Sequence, residues 1–458
     1  MSRIHILSAI LFTLVSVVLA QPHLLTPKRV AELARTQSVM VKSSRLDISV
    51  NEYSRKGAFA RFLPSVSGNA SYTRLDKEPA ISMGEGSTIP DSLMNDPIVQ
   101  TMMQLLGPLF STEPVSLGPR NIVSLGFTIR QPLFLGGKLL NNYKSSKLNV
   151  ASQVRKHERL LAEAENTGLK LFWSCVALQE VATIKKEERL WYEKLIATQE
   201  VMFETGMIIE LALLNSKAEL SKRKLEEKRA YNASKQMNEQ LALFLNLPVE
   251  DGIILDTLVG YSDVTGLELP DEEEIARCVD KRDDVRALAL EIDILNTVRK
   301  AQRSDYLPNI FGFYNHKFSN DDPQYDDDEL ISHWNVGVAL DWKIFDWGAT
   351  YRELQKTDDR LEQLKLAHKS LRDKIEVEIR DKYRNLVEKV ESVEIAEKGI
   401  ANARRALEIA ELQYSEGLIT DVELRNTHLL FSAARLQLVQ AYTAREITLA
   451  EYTFARGD

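Results

Sequence analysis

Apolar and polar residues alternate with a period of two in two stretches of the chain, and recur with a period near 3.5 through most of the rest. In the first stretch Val123, Leu125, Phe127 and Ile129 alternate with Ser124, Gly126, Thr128 and Arg130. In the second, Trp334, Val336, Val338, Leu340, Trp342 and Ile344 alternate with Asn335, Gly337, Ala339, Asp341 and Lys343. This pattern predicts strands with one apolar and one polar face, over residues 122–134 and 332–345. Their expected partners, over 63–75 and 308–318, alternate less cleanly. About ten residues is the length of a tilted strand with lipid on one side and water on the other. On one such strand alone, a soluble sandwich is the favoured reading.

The flanking segments narrow the choice. After Gly136-Gly137, and again after Gly348, the chain turns to Lys, Glu, Arg, Ala and Leu with no proline until the next break. That composition predicts uninterrupted helices of about seventy residues, on the order of 100 Å long. Ala396, Ile400, Ala403, Leu407, Ala410 and Tyr414 step by fours and threes, as do Phe431, Ala434, Leu438 and Ala441. A narrow apolar seam of this kind belongs to packed long helices. A return helix is expected from Gly206 to about Leu247, and another helical run ahead of each strand pair, over Thr26 to Phe62 and Asp271 to Tyr306. One long helix is thus balanced by two shorter ones, with a mid-height linker at residues 248–270 between them.

The chain also repeats itself. A shift of 211 carries Phe134 onto Phe345, Gly137 onto Gly348, Phe203 onto Tyr414, Gly206 onto Gly417 and Asn215 onto Asn426. Upstream, Phe62-Leu63-Pro64 meets Tyr306-Leu307-Pro308 at a shift of 244, so the first half carries an insertion. Residues 76–120, with six prolines, are read as that insertion and as a loop; the second half has the short acidic segment 321–328 instead. The organisation is therefore a first repeat over 21–247 with its tip near 206, the linker, and a second repeat over 271–458 with its tip near 417.

Residues 1–20 have the build of a cleaved secretory signal: Arg3, an apolar run from Ile6 to Val18, and Val18-Leu19-Ala20. Beyond it no apolar run is long enough for a membrane helix, so any membrane crossing must be made by strands. Two cysteines, Cys175 and Cys278, in 458 residues make no disulfide scaffold, and each is read as a small buried hydrophobe. A net charge of −8 carries no basic footprint for nucleic acid. Gly136-Gly137-Lys138 lacks the remaining positions of a phosphate loop, the seven histidines form no i, i+4 pair, and no catalytic triad stands out. The expectation is a protein without enzymatic activity, cofactor or bound metal.

Four strands cannot span a bilayer alone, because open edges leave backbone groups unpaired in hydrocarbon. Other copies must close the barrel, two giving eight strands and three giving twelve. Here the chain resembles the TolC family of outer-membrane efflux proteins. The resemblance rests on Phe62-Leu63-Pro64 and Leu307-Pro308, on Gln131 to Gly137 and Ile344 to Gly348 at the strand-to-helix junctions, and on the tips Phe203-Glu204-Thr205-Gly206-Met207 and Tyr414-Ser415-Glu416-Gly417-Leu418. It implies an α plus membrane-β fold: a homotrimer with one 12-stranded barrel in the outer membrane and a helical tunnel in the periplasm. It also implies passive export together with a periplasmic adaptor and a proton-driven or ATP-driven inner-membrane transporter. The competing reading is a structural or adhesive coiled-coil protein of the envelope.

The resemblance further implies site residues. Thr205, Gly206, Met207, Glu416, Gly417 and Leu418 would dock the adaptor. Glu423 and Asn426, six and nine positions after Gly417, would narrow the tunnel entrance from one helix face, helped by Asp421. Asn426 is uncharged where the family commonly has an acid, which leaves the field to Glu423. The corresponding first-repeat positions are Ala212 and Asn215, so only the second tip carries the acid.

Overall fold

The computed structural model describes residues 23–77, 80–81, 96–106, 115–116, 119–249, 253–255, 270–321 and 329–457. In chain order the elements are β1 (His23–Leu25), α1 (Pro27–Gln37), α2 (Val39–Ala60), β2 (Ser65–Arg74), β3 (Ala80–Ile81), α3 (Pro97–Leu106), β4 (Val115–Ser116), β5 (Asn121–Leu135) and α4 (Lys138–Glu204). They continue with α5 (Glu210–Phe244), β6 (Ile253–Leu255), α6 (Glu272–Lys281), α7 (Asp283–Arg303), β7 (Asn309–Ser319), β8 (Ile331–Asp341), α8 (Ala349–Ser415) and α9 (Asp421–Arg456). No described helix is long and apolar enough to cross a membrane. The signal-like residues 1–20 and acidic residues 322–328 lie outside the described residues.

The repeat is visible in the backbone itself. Helices α4 and α8 are each 67 residues long and start 211 positions apart. The described residues with positive φ pair at the same offset: Gly136 with Trp347, Gly137 with Gly348, Gly206 with Gly417, and Asn246 with Gly457. Each pair marks an identical event, a helix start or a helix end, where a left-handed residue turns the chain.

Two compact units are present. One holds residues 53–147 and 294–361. Its centre is an antiparallel four-stranded sheet in the order β2-β5-β7-β8, so the two predicted hairpins lie side by side and join through β5 and β7. The pairing sorts the side chains onto two faces. One carries Val66 and Tyr72, then Leu125, Phe127 and Ile129, then Tyr314 and Phe318, then Trp334, Val336, Val338 and Leu340. The other carries Ser67, Asn69, Ser71, Thr128, Arg130, Asn315, Lys317, Asn335 and Asp341. Among the described residues, β2 and β8 each pair on one side only.

The last strand is shorter than expected. It ends at Asp341, opposite Asn309, rather than running to Phe345. Its neighbour β7 begins there because Pro308 offers no N–H to a ladder. β5 instead runs to Leu135, and the register slips between Pro132 and Phe134, where the proline breaks the ladder.

The other unit, residues 1–52, 148–293 and 362–458, is built on the helices. Leu25, Val30, Ala34, Phe172, Trp173, Cys175, Leu241 and Leu255 form one buried cluster; Ile275, Val279, Ile375, Ile379, Leu386 and Tyr452 form a second. The predicted seam is occupied: Leu407, Ala410, Tyr414 and Phe431 pack with Leu195 and Leu424, and Ala396, Leu438 and Ala441 with Val393. A fully buried leucine or isoleucine contributes about 1.5–3 kcal/mol, so these stripes hold the long helices together. Both cysteines are free and buried, and desolvation pushes the Cys175 thiol up to about 12.

Two expectations need correction, and the linker holds a short strand. The helical runs ahead of each strand pair are each broken in two, at Ser38 and at Arg282. The Arg282 backbone is extended because its side chain is drawn inward, with Nη1 donating to the Ala455 carbonyl at 3.0 Å and to Glu378 at 2.9 Å, and Nη2 to Asp284 at 2.7 Å. The linker at 248–270 contains β6, which pairs in parallel with β1. The insertion at 76–120 is not all loop. It holds α3, started by Asp96 accepting from the Ile98 N–H at 2.8 Å with Pro97 in the first turn, and the pair β3–β4.

Candidate functional site

The two tips close in the same way. At the first, the Met207 N–H donates to the Met202 carbonyl at 2.8 Å and the Gly206 N–H to Phe203; at the second, the Leu418 N–H donates to Gln413 at 2.8 Å and the Gly417 N–H to Tyr414. Gly206 and Gly417, at φ of 76° and 73°, make the left-handed turn that this double bond requires. Thr205 donates its hydroxyl back to Val201 and Met202, and Met207 and Leu418 stand exposed at 70 % and 73 %. All six tip residues predicted as docking candidates therefore lie in the turns themselves.

The exits from the turns differ. Helix α9 starts with a capping box: the Glu423 N–H donates to Thr420 Oγ1 at 3.3 Å, while Glu423 Oε2 accepts from the Thr420 N–H at 2.8 Å. Helix α5 starts at Ile209 with no side-chain cap. The Thr420 backbone N–H, with the hydroxyl, holds the Glu423 carboxyl below its ordinary range, so the acid is charged at neutral pH. Glu423 and Asn426 are both exposed, three residues apart on one face of α9. Asp421 is bound by Arg425 Nη2 at 2.8 Å and adds little free charge beside them.

A groove of about 560 Å³ runs between the turns, lined by Met202, Met207, Ile209, Tyr414, Gly417 and Ile419. Behind it sits an arrangement that sequence reasoning missed. Trp191 on α4 stacks on His428 of α9 with ring centroids 3.7 Å apart, and the indole N–H donates to Glu411 of α8 at 3.0 Å. Next to it, Arg223 of α5 is buried and meets Glu188, Glu226 and Glu219 at 3.0, 2.9 and 3.1 Å, while Lys185 reaches Glu188 and Glu226. Charged residues at helical spacing read as a solvated face in sequence; only packing shows that this set is enclosed.

At the strand-to-helix junctions the chain uses left-handed backbone at Gly136 and Gly137, and at Trp347 and Gly348. Gly136 is tightly held: a Cβ there would lie 2.9 Å from the Ser304 carbonyl oxygen, and Ser304 Oγ donates to the Gly136 carbonyl at 2.7 Å. Lys138 and Asp305 pair alongside at 2.6 Å. In the second repeat Asp346 caps α8, accepting from the Gly348 and Thr350 N–H groups at 3.1 and 3.0 Å. Trp347, left-handed although not glycine, is 87 % exposed, beside the exposed Trp342, Ile344 and Phe345. Among the described residues no cluster of His, Cys, Asp and Glu suited to a metal ion occurs.

Residues 275–457 match the family model of the outer membrane efflux proteins. No curated protein sequence gives a significant match. Among solved structures, the chain is similar to the Campylobacter jejuni CmeC outer membrane channel, with a TM-score of 0.73 and 16 % identity over 94 % of this chain and 85 % of that one. It is similar to the Vibrio cholerae outer membrane protein VceC at a TM-score of 0.69 and 12 % identity, covering 94 % and 96 %. For the open state of the Neisseria gonorrhoeae MtrE outer membrane channel the values are 0.71 and 15 %, covering 94 % and 88 %. At such identities these likenesses speak for the fold. The second repeat thus matches the outer membrane efflux protein family, and the chain has the fold of the outer-membrane channels.

Proposed function

We propose that this chain is the exit duct of a tripartite efflux or type I secretion system, conducting cargo passively across the outer membrane. The observation that carries this is the sheet: one face is mainly apolar, with His316 and Ser332 bonded to each other on it, the other is mainly polar, and among the described residues both edge strands are unpaired on their outer side. An apolar face standing 63–68 % exposed along Trp334, Val336, Val338 and Leu340 is unfavourable in water and suited to lipid. The open edges β2 and β8 are satisfied by further copies, and a homotrimer gives the 12-stranded barrel seen in the family resemblance. The protein is exported on its N-terminal signal and resides in the outer membrane, extending into the periplasm.

In this reading the tips at Thr205, Gly206 and Met207 and at Glu416, Gly417 and Leu418 receive a periplasmic adaptor. Glu423, repeated by the assembly symmetry, forms an acidic ring at the entrance with Asn426 one turn on. Energy comes from an inner-membrane transporter. The test is extraction of the full chain in detergent followed by planar-bilayer recording. Heat-resistant trimers with single-channel conductance are expected, and recovery as a soluble periplasmic rod without conductance would overturn the proposal in favour of a coiled-coil envelope protein.

A further inference from the structure

Two phenylalanines interrupt the polar face of the sheet, and they have different reasons. Phe313 lies opposite Gly337, and a Cβ on that glycine would be 2.7 Å from the ring, so Phe313 covers the bare backbone of its neighbour. Phe311 covers no glycine. Its ring lies under the guanidinium of Arg130, 4.0 Å from the centroid. Arg130 is thus placed over an aromatic ring in a cation–π contact, which holds the guanidinium at the sheet's polar face.

These two residues line a recess of about 370 Å³ together with Arg61, Leu63, Pro64 and Pro132. Neither guanidinium has a carboxylate partner among the described residues. Other guanidinium groups of the chain, those of Arg189, Arg223, Arg282, Arg299, Arg425 and Arg435, do have one. Two unpaired guanidinium groups, an aromatic plate and three apolar walls make a cavity of a small-ligand site's size. A planar, preset fork recognises a carboxylate or sulfonate through two parallel hydrogen bonds.

We propose that this recess binds an amphipathic organic anion, an aromatic ring bearing one carboxylate or sulfonate, with the acid on Arg130 and Arg61 and the ring against Phe311 and the prolines. The biological role, a station for anionic cargo on the duct wall, rests on the function proposed above; the binding itself does not. Such a site places a cationic group on the sheet's water-facing side, opposite in sign to Glu423 at the tip. Cargo carrying a single negative charge and an aromatic body is the class it favours.

The experiment is isothermal titration of 2-naphthoate, with uncharged 2-naphthamide as control, into the full chain in detergent. Naphthoate binding is expected, weakened tenfold or more by Arg130→Gln and about threefold by Arg130→Lys, which keeps charge but loses the fork, with naphthamide binding absent. Phe311→Leu, which keeps an apolar residue in the strand, is expected to weaken binding without changing the trimer. Equal binding of acid and amide, or unchanged binding in Arg130→Gln and Arg61→Gln, overturns the proposal. So does absent naphthoate binding with Arg130→Gln altering the oligomer on sedimentation, which assigns the guanidinium to an interface between copies. Bilayer conductance is recorded in parallel: conductance without naphthoate binding defeats the site alone, and binding without conductance defeats the duct alone.

Discussion

Trp191 and His428 lie nearly parallel, 15° between their planes and 3.7 Å between centroids, and this stack is one of the contacts that tie α4 of the first repeat to α9 of the second. His428 is 5 % exposed and its Nδ1 has no hydrogen-bond partner. Burial, reinforced by Arg223 and Arg435, lowers its pKa from the ordinary 6.5 to about 4. Because the folded state resists protonation, the unfolded state binds more protons between pH 6.5 and 4. Stability is therefore full above 6.5 and falls as the pH drops through this window, by roughly 3 kcal/mol in all. Denaturant titrations of wild type and His428→Gln from pH 7 to 4 measure this. The glutamine variant is expected to show a shallower slope, and equal slopes would remove His428 as the cause.

Glu423 has two roles that one pair of variants separates. Glu423→Ala removes both the capping box and the charge, and is expected to cost about 1 kcal/mol at the start of α9. Glu423→Gln keeps a reciprocal cap and loses only the charge. If Glu423 forms a ring at the entrance, both variants weaken cation selectivity and block by multivalent cations added from the periplasmic side. Wild-type selectivity in Glu423→Gln would leave the residue a helix cap and nothing more.

The buried ion cluster is expected to be intolerant of truncation. Glu188 is 2 % exposed and meets Arg223 and Lys185. Arg223→Ala leaves that carboxylate enclosed with one partner fewer, at a cost of about 3 kcal/mol. Adding Glu188→Ala in the same chain is expected to recover part of the loss, because the stranded charge is gone. Thermal unfolding of the two variants in one detergent gives the comparison, and strictly additive losses would show that the residues act independently.

At the junctions, the equivalent residues Gly136 and Trp347 are expected to respond in opposite directions. Gly136→Ala adds a Cβ at positive φ against the Ser304 carbonyl and is expected to destabilise the sheet unit by about 2 kcal/mol or more. Trp347→Gly relieves a left-handed non-glycine residue and is expected to be neutral or to stabilise by about 1 kcal/mol in detergent. Melting temperatures of the two variants are the check. A Trp347→Gly loss equal to that of Gly136→Ala would mean that the indole contributes packing its exposure does not suggest.

Much of the architecture was written in the period of the sequence. The offset of 211 placed both long helices and both tips, because side-chain spacing and the glycines that end helices are local properties. Strands were legible where one face meets a different medium from the other, and β5 and β7 fall within a residue or two of expectation. The candidate tip residues were legible for the same reason, since Gly206 and Gly417 are required by their own turns.

What sequence alone could not decide depends on partners far along the chain. β1 and β6 are three residues each and exist only by pairing across the first repeat. The break at Arg282 follows from its bonds to Ala455 and Glu378. The stacking of Trp191 on His428, the enclosure of Arg223 and the placing of Arg130 over Phe311 each join residues more than thirty positions apart. Periodicity fixes which face of an element is apolar, because that is set by neighbours three or four positions away in a helix and two in a strand. Which buried polar group meets which is set by the packing of whole elements, and that the tertiary structure alone decided.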